Sequence, residues 1–286
     1  MERTQIGVQA MMLKNKFDTL GAYETLKKVH EIGFHFIELS QIEMSPENVS
    51  EIKRACQDFD ITIAAMSAAL EGNPGMNNEN LTDHYDKIVQ DCKTLNCGFL
   101  RIGMLPFPCM ASLEKVLAFC EKMEAMAQRL KKDGIDLYYH NHHIEFRKYD
   151  GEYLLDIIRT HAPSVGFELD VHWIQRGGED PIRIINQYAG KVSLLHLKDY
   201  RIGAIPEEAF GALAKGDVMG FMSSFTNVVQ FAEVGEGNLN MKEIIETGKR
   251  AGAKFFLIEQ DDQYGKDPFE CLQISHDNLI SLGYEM

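Results

Sequence analysis

The sequence predicts an α/β protein with the (β/α)8 TIM-barrel fold. Strand-like and helix-like segments alternate eight times along the 286 residues. The strand-like segments are almost continuously apolar, as strands of a parallel sheet are when both faces are buried. Four of them end in a side chain that can bind a metal, and barrel active sites lie at the carboxyl ends of the strands. These four side chains are His140, Asp170, His196 and Glu259.

The first half of the chain contains four predicted strand–helix units. The first helix has apolar residues at helical spacing and ends at Gly33, a residue type that often ends helices. The second begins at Ser45, where Ser-Pro-Glu-Asn has a capping-box pattern with proline in the first turn. Strands are predicted at 5–11, 34–39, 61–66 and 98–102, and helices at 19–32, 45–59, 81–95 and 112–132.

The second half repeats the unit four times. Strands are predicted at 135–140, 165–171, 192–197 and 254–259, and helices at 151–160, 180–188, 241–251 and 267–282. The segment 200–231 fits neither pattern and is predicted to be a long irregular insert. No Gly-x-Gly-x-x-Gly follows a strand, which argues against an open dinucleotide-binding sheet. Because no Pro-, Gly- or Ser-rich linker separates the halves, residues 1–286 are predicted to form a single domain.

The composition restricts the partners of the protein. With 43 acidic and 29 basic residues, the net charge is −14, which would repel a nucleic acid backbone. No apolar stretch reaches 18 residues, so no membrane span is expected. The first 13 residues lack a signal-peptide pattern, and the six cysteines form no Cys-x-x-Cys pair. Reduced thiols and a cytoplasmic location are therefore expected. Whether the chain forms a homo-oligomer is left open.

The densest group of chemically active side chains lies at 139–145, after the fifth predicted strand. Five of these seven side chains are imidazole, amide or carboxylate groups. Imidazole ligands favour transition metals over calcium or magnesium. His142 and Glu145 are predicted to bind substrate. The alternative is an exposed polar loop with incidental histidines.

The sixth and seventh strand ends carry similar side chains. Asp170 and His172 would share one face if the strand continued that far, since strand side chains alternate. The alternative is a helix-capping Asp170 beside a structural histidine. His196 and Lys198 also share a face, and a lysine beside a metal suits a carbonyl or enediolate oxygen. The alternative for Lys198 is a surface ion pair with Asp199.

Four further residues complete the predicted site. Glu259, on the eighth strand end, can bind a metal or remove a proton. Glu38, on the second strand, is predicted to bind substrate, with a structural role as the alternative. Trp173 offers a ring face to a sugar. Glu236 lies in the glycine-rich segment 234–238, which either lets the backbone approach a substrate or forms a plain turn.

These motifs resemble those of the sugar phosphate isomerase/epimerase family, the xylose-isomerase-like TIM barrels. The resemblance covers essentially the whole chain. It is carried by the segments 6–9, 139–146, 168–173, 195–199, 234–237 and 258–261. It implies a divalent metal, Mn²⁺ before Mg²⁺, Co²⁺ or Zn²⁺, held by Glu, Asp, His and Glu on strands five to eight.

One position departs from the family pattern. Asp170, His196 and Glu259 match three of the family's ligands, but His140 stands where family epimerases carry glutamate. Asn141 or Glu145 is the alternative fourth ligand. The His-Asn-His sequence at 140–142 resembles a subgroup nearer to inosose dehydratases and uncharacterised sugar isomerases.

The resemblance implies metal-dependent isomerisation or epimerisation of a small keto sugar or polyol through an enediolate. Glu259 would remove a proton, Lys198 would stabilise the enediolate, and a residue such as His172 would return the proton. The first alternative is a dehydratase of the inosose dehydratase type, and the second is a barrel that binds sugar without turnover. Phosphodiester cleavage is disfavoured by the negative charge and by Ser67 and Met104, which stand where such barrels carry histidine.

Overall fold

Eight parallel strands close into a barrel in the computed structural model, which describes residues 4–72 and 79–285. Each strand pairs with the next in sequence, and the last pairs with the first. The strands are β1 (Ile6–Gln9), β2 (Phe36–Leu39), β3 (Thr62–Ser67), β4 (Phe99–Ile102), β5 (Asp136–His140), β6 (Gly166–Asp170), β7 (Val192–Leu197) and β8 (Phe255–Ile258). The predicted (β/α)8 fold is confirmed.

Helices follow the strands and cover the outside of the barrel. They are α1 (Lys14–Leu20), α2 (Ala22–Ile32), α3 (Pro46–Phe59), α4 (Tyr85–Thr94), α5 (Leu113–Lys132), α6 (Leu154–His161), α7 (Val171–Arg176), α8 (Pro181–Gln187), α9 (Glu207–Ala214), α10 (Val218–Thr226), α11 (Met241–Ala251) and α12 (Pro268–Ser281). Short 3₁₀ turns lie at Ala10–Leu13, Phe107–Ala111 and His143–Phe146. Among the described helices, none is long and apolar enough to cross a membrane.

Several predicted boundaries differ from the structure for local reasons. The first strand ends at Gln9, not at residue 11, because the Gln9 side chain accepts the Met11 N–H and turns the chain. The helix predicted at 19–32 is two helices, separated by Gly21 with φ +82°. The helix predicted to begin at residue 81 begins at Tyr85. The predicted ends at Gly33 and Ser45 are confirmed, since Gly33 is left-handed and Ser45 caps α3.

The insert after β7 is regular rather than irregular. Asp199–Ile202 and Val229–Ala232 form an antiparallel ribbon, and α9 and α10 lie between its strands. These helices leave most of their apolar side chains exposed. Their sequence therefore lacks the alternation of an apolar and a polar face by which a surface helix is recognised, and the segment was predicted to be irregular.

The barrel interior is apolar at one end and charged at the other. The amino ends of three strands contribute Phe36, Phe99 and Phe255, which pack against a separate cluster inside the barrel. Side chains alternate along a strand, so Leu194 in this cluster and His196 project into the same interior, one layer apart. The apolar layer closes the barrel beneath the charged residues and leaves the carboxyl ends for the site.

Gly7 on β1 lies in close contact with the backbone of β2. A Cβ at this position would lie 2.1 Å from the Phe36 carbonyl oxygen. We predict that Gly7→Ala lowers the free energy of unfolding by about 1–3 kcal/mol, because overpacking forces the backbone to move. Gly211→Ala is the control, since nothing lies within 4 Å of its Cβ and it stands in α9. Urea unfolding measures both, and equal stability of the two variants would contradict the packing described.

Candidate active site and metal centre

Four buried side chains converge where β5, β6, β7 and β8 end. They are His140, Asp170, His196 and Glu259, here called the ligand group. One nitrogen or oxygen from each lies within 4.8 Å of the corresponding atoms of the other three. The structure therefore brings the four predicted ligands together at the carboxyl end of the barrel.

The ligand group fits a divalent metal ion. Nδ1 of His140 is buried and makes no hydrogen bond to any described residue, and Oδ2 of Asp170 is buried with the Lys198 ammonium 3.3 Å away. The carboxylate oxygen nearest to His140 Nδ1, Oε2 of Glu168 at 3.3 Å, forms no hydrogen bond with it. Buried polar atoms without a partner are uncommon and call for an unseen ligand. Two imidazoles and two carboxylates suit Mn²⁺, Fe²⁺, Co²⁺ or Zn²⁺.

The two alternative fourth ligands are engaged elsewhere. The Asn141 side-chain oxygen accepts the backbone N–H of Asp170 at 3.0 Å. Both oxygens of Glu145 are occupied, one by the Tyr139 hydroxyl at 2.6 Å and one by the His142 N–H at 2.7 Å. Glu145 is therefore placed behind the site, where it fixes the loop that carries His142, and not where a substrate would meet it.

His196 links the ligand group to a second layer of carboxylates. Its Nδ1 lies 2.7 Å from Oε2 of Glu259, and its Nε2 lies 2.8 Å from Oε2 of Glu38. Burial opposes a charge on His196, but Glu168, Glu38 and Glu259 outweigh it and hold the pKa well above its usual value. A histidine that binds a metal commonly donates its other ring N–H to a carboxylate. Glu38 is placed to accept that bond.

This geometry changes the role predicted for Glu38. Its side chain is fully buried, and its two oxygens are used by His196 and by Arg101. The structural alternative for Glu38 therefore fits the structure better than substrate binding does.

Arg101 is a buried cation that sequence analysis missed. Its Nε lies 2.5 Å from Oε1 of Glu38 and 2.9 Å from Oε2 of Glu168, and its Nη2 donates to Ser40. Glu38 and Glu168, here called the lower carboxylate pair, form a second potential metal-binding group with His196. Arg101 already joins that pair with a permanent positive charge. The signal was the arginine inside the apolar strand Phe-Leu-Arg-Ile.

The two carboxyl groups of the lower carboxylate pair have very different pKa values. Burial and, after it, the adjacent Glu38 raise the pKa of Glu168 to about 7, against the opposing effects of His196 and Arg101. For Glu38, burial favours protonation, but Arg101 and His196 outweigh it and lower the pKa to about 2. Glu38 is therefore the ionised partner of His196 at neutral pH.

Lys198 supplies the second fixed cation. Its Nζ lies 2.9 Å from both Glu259 and Asp261, and 3.3 Å from Asp170. Burial opposes its charge, but these carboxylates raise its pKa above the usual value. Lys198 is an ammonium donor at neutral pH, not a base. It does not pair with Asp199, which was the alternative interpretation.

A wall of rings stands above Lys198. Its Nζ lies 5.1 Å from the centre of the Trp173 ring and 5.8 Å from that of Phe231. The His172 ring contacts both, at 4.8 and 4.9 Å between ring centres, and the His142 ring lies 5.5 Å from Trp173. His142, His172, Trp173 and Phe231 are here called the aromatic wall. Burial lowers the pKa of both histidines to about 4, so they are neutral at pH 7.

His172 lies on helix α7 and not on the sixth strand, as the prediction had it. The strand does not continue to residue 172, because β6 ends at Asp170. Oδ1 of Asp170 accepts the Trp173 N–H at 3.0 Å and caps α7. Asp170 thus caps the helix with one oxygen and directs the other, Oδ2, toward Lys198 and His196.

The glycine-rich segment 234–238 wraps around a buried carboxylate. Asp199 accepts four backbone N–H groups at 2.9–3.1 Å. A Cβ on Gly237 would lie 2.1 Å from an Asp199 oxygen, which explains the glycine. Glu236 is exposed and accepts a hydrogen bond from Asn278 on α12. Of the two interpretations, the structure supports a turn, and it places Glu236 away from the ligand group.

The fold and the polar centre at its strand ends define the class of (β/α)8 barrels with a site at the carboxyl face. The chain belongs to the xylose isomerase-like TIM barrel family, whose model matches residues 26–273. The family predicted from the motifs is therefore confirmed. Solved structures named as sugar phosphate isomerase/epimerase are among its structural neighbours.

Individual relatives are more distant. Inosose dehydratase of Lacticaseibacillus casei is 25% identical over 150 residues, which are 52% of this chain and 48% of that protein. The chain thus spans about half the length of this relative. A sugar phosphate isomerase/epimerase from Parabacteroides distasonis has a TM-score of 0.76 at 19% identity, covering 99% of this chain and 100% of that chain. The probable 3-DHS dehydratase AsbF of Bacillus anthracis has a TM-score of 0.67 at 14% identity, covering 97% and 99%.

The raised pKa of His196 predicts that metal binding depends on pH. A metal ion that binds Nδ1 of His196 must displace the proton on that atom. The other ring nitrogen, Nε2, keeps its proton and donates it to Glu38 in a hydrogen bond. We expect Mn²⁺ binding to release about one proton per ion, and the affinity to fall as the pH falls. Calorimetric titration in buffers of different ionisation enthalpy measures both.

A pair of histidine variants provides the control for this prediction. His196→Gln should lose Mn²⁺ binding, whereas His143→Gln should keep it, because His143 is exposed and lies outside the ligand group. Binding without proton release in the unaltered protein would contradict the state assigned to His196.

Proposed function

We propose that this protein is a metal-dependent isomerase or epimerase of a small keto sugar or polyol, which transfers a proton through an enediolate. The observation that carries the proposal is the environment of Glu259. Its Oε2 lies 2.7 Å from His196 Nδ1 and 2.9 Å from Lys198 Nζ, and its Oε1 accepts a hydrogen bond from Gln9. Burial opposes its charge, but Lys198 and His196 hold the pKa well below its usual value.

The ligand group would hold the ion. A divalent cation there would supply Lewis-acid stabilisation to negative charge on neighbouring substrate oxygens. We propose Mn²⁺, with Mg²⁺, Co²⁺ and Zn²⁺ as the other candidates, because the group combines imidazoles with carboxylates. We also propose that residues 1–286 act as one domain in the cytoplasm, on a small molecule and not on nucleic acid.

The protein's own groups would carry out the proton transfer. Glu259 is an ionised carboxylate, so it can remove a proton from the carbon beside the carbonyl group. The ammonium group of Lys198 is fixed in place and can stabilise the charge that develops on the adjacent oxygen. His172 is neutral, so it can relay a proton to the product carbon by donating from one ring nitrogen while its other ring nitrogen accepts one. The order is removal by Glu259, stabilisation by Lys198, and return of the proton.

The aromatic wall supports a substrate rich in hydroxyl groups. Nδ1 of His142, Nδ1 of His172 and Nε1 of Trp173 are buried and have no hydrogen-bond partner among the described residues. Hydroxyl groups of a sugar would satisfy these atoms, and the ring faces would pack against its C–H groups. The wall also limits the access of water to the carbanion.

A dehydratase acting on a keto-polyol is the second candidate. His140 favours it, because this position carries an imidazole where the epimerase pattern has a carboxylate. Burial holds the pKa of His140 well below its usual value, so it is neutral and not a second anionic base. Glu259 would then remove the proton beside the carbonyl group, and the neighbouring hydroxyl group would leave as water with a proton supplied by the protonated Glu259 or by the Lys198 ammonium. The similarity to inosose dehydratase points the same way.

One experiment separates these reactions. Metal-loaded protein is incubated in deuterated water with a panel of ketoses and inososes, and the substrate carbons are followed by NMR. Deuterium incorporation without loss of water supports an isomerase or epimerase. Loss of a hydroxyl group supports the dehydratase. A sugar that binds and never exchanges would contradict both, and would leave a barrel that binds sugar without turnover.

We predict that Glu259→Gln lowers the rate of deuterium incorporation by about 10²–10⁴-fold, because the amide cannot accept the proton. Metal content is measured in the same sample, since Glu259 also belongs to the ligand group. Glu236→Gln is the matched control and should exchange at the unaltered rate, because that side chain bonds to Asn278. Undiminished exchange in metal-loaded Glu259→Gln would remove Glu259 as the base.

A further inference from the structure

Helices α9 and α10 with the turn between them, residues 207–226 and here called the arm, present an apolar surface to solvent. Six large apolar side chains on the arm are between 40 and 79% exposed: Phe210, Leu213, Val218, Met219, Met222 and Phe225. Helix α9 buries only Ala209, and α10 buries no residue at all. A surface helix normally turns its apolar face toward a core. The face that the arm exposes is therefore the kind that another molecule covers.

The exposed side chains form one continuous surface. Val218, Met222 and Phe225 are spaced at i, i+4 and i+7, so they lie along one side of α10. Phe221 packs on Phe210 at 5.6 Å between ring centres, which joins this stripe to α9. No charge interrupts the stripe, since residues 218–232 contain no Asp, Glu, Lys or Arg although these make up 25% of the chain.

The area matches half of a stable protein contact. Six side chains of this size, each about half exposed, present about 600 Å² of apolar surface. Single chains rarely expose more than a few hundred Å² in one patch. Two such surfaces facing each other would bury about 1,200 Å² in total, which is the lower limit of specific interfaces.

The two ends of α9 carry opposite charges, so two copies of the helix can pair in an antiparallel arrangement. Glu207 and Glu208 begin the helix and Lys215 follows its last residue. Within the described part of the chain, none of the three has an ion-pair partner. If a second α9 lies antiparallel to the first, Lys215 of each copy faces the acidic end of the other. A membrane is the less suitable partner, because the chain carries a net charge of −14 and the arm has only one basic residue.

We propose that the arm binds the arm of a second copy of this chain in a two-fold symmetric, antiparallel contact. The contact would also affect the aromatic wall of the candidate active site. The ribbon that carries the arm includes Phe231, whose ring packs against His172 and Trp173. Docking of two arms would hold this part of the aromatic wall in place.

The test is the molecular mass in solution. Sedimentation equilibrium at micromolar concentration should give twice the 32.4 kDa of one chain. The double variant Met222→Glu/Phe225→Glu should raise the dissociation constant by about 100-fold or more, because both side chains lie on the stripe and lose an apolar contact in the interface. The control is Ala125→Glu, which places a new glutamate at an exposed position on α5, away from the arm. It should leave the dimer intact.

The charges of the arm give a second, independent test. Lys215→Glu should weaken the dimer several-fold, and adding Glu207→Lys and Glu208→Lys should restore it. Circular dichroism checks that each variant is folded. A mass of one chain for the unaltered protein, or a dimer that survives the double variant, would overturn the proposal. Binding of the monomeric protein to neutral phosphatidylcholine vesicles would also overturn it.

Discussion

The arrangement of the site depends on two buried cations among carboxylates. Arg101 joins Glu38 to Glu168, and Lys198 contacts Glu259, with His196 between the two groups. Buried carboxylates are costly without a partner, and removing one partner leaves the other uncompensated. The apolar layer beneath the site keeps water away and strengthens these interactions. The network therefore explains why so many charged side chains can converge inside a barrel.

The network also determines how the site can work. Because Arg101 keeps Glu38 ionised and engaged, His196 is oriented with Nε2 toward Glu38 and Nδ1 toward the ligand group. Arg101 stands between the lower carboxylate pair, where a second divalent ion would otherwise find its ligands. This arrangement supports the proposal of a single ion, held in the ligand group. Lys198 keeps Glu259 ionised, as Arg101 keeps Glu38 ionised, and places an ammonium group 2.9 Å from the Glu259 carboxylate.

Much of the fold and part of the site could be predicted from sequence. Apolar strands that end in a ligand-type side chain predict both the barrel and the convergence of His140, Asp170, His196 and Glu259, since carboxyl ends of parallel strands meet. The pairing of these side chains could not be predicted, because a strand pattern does not show that Arg101 joins Glu38 to Glu168 across the barrel or that Glu38 accepts from His196. The helices of the insert were missed because they have no buried face. Glu236 was assigned by proximity in sequence, whereas the turn directs it to α12.

The central claim is that one metal ion binds in the ligand group while Arg101 holds the lower carboxylate pair. Anomalous diffraction from crystals saturated with Mn²⁺ tests it most directly. The account predicts one anomalous peak per chain, within bonding distance of His140, Asp170, His196 and Glu259. A peak between Glu38 and Glu168 with Arg101 displaced, two peaks, or no peak at saturating Mn²⁺ would contradict it.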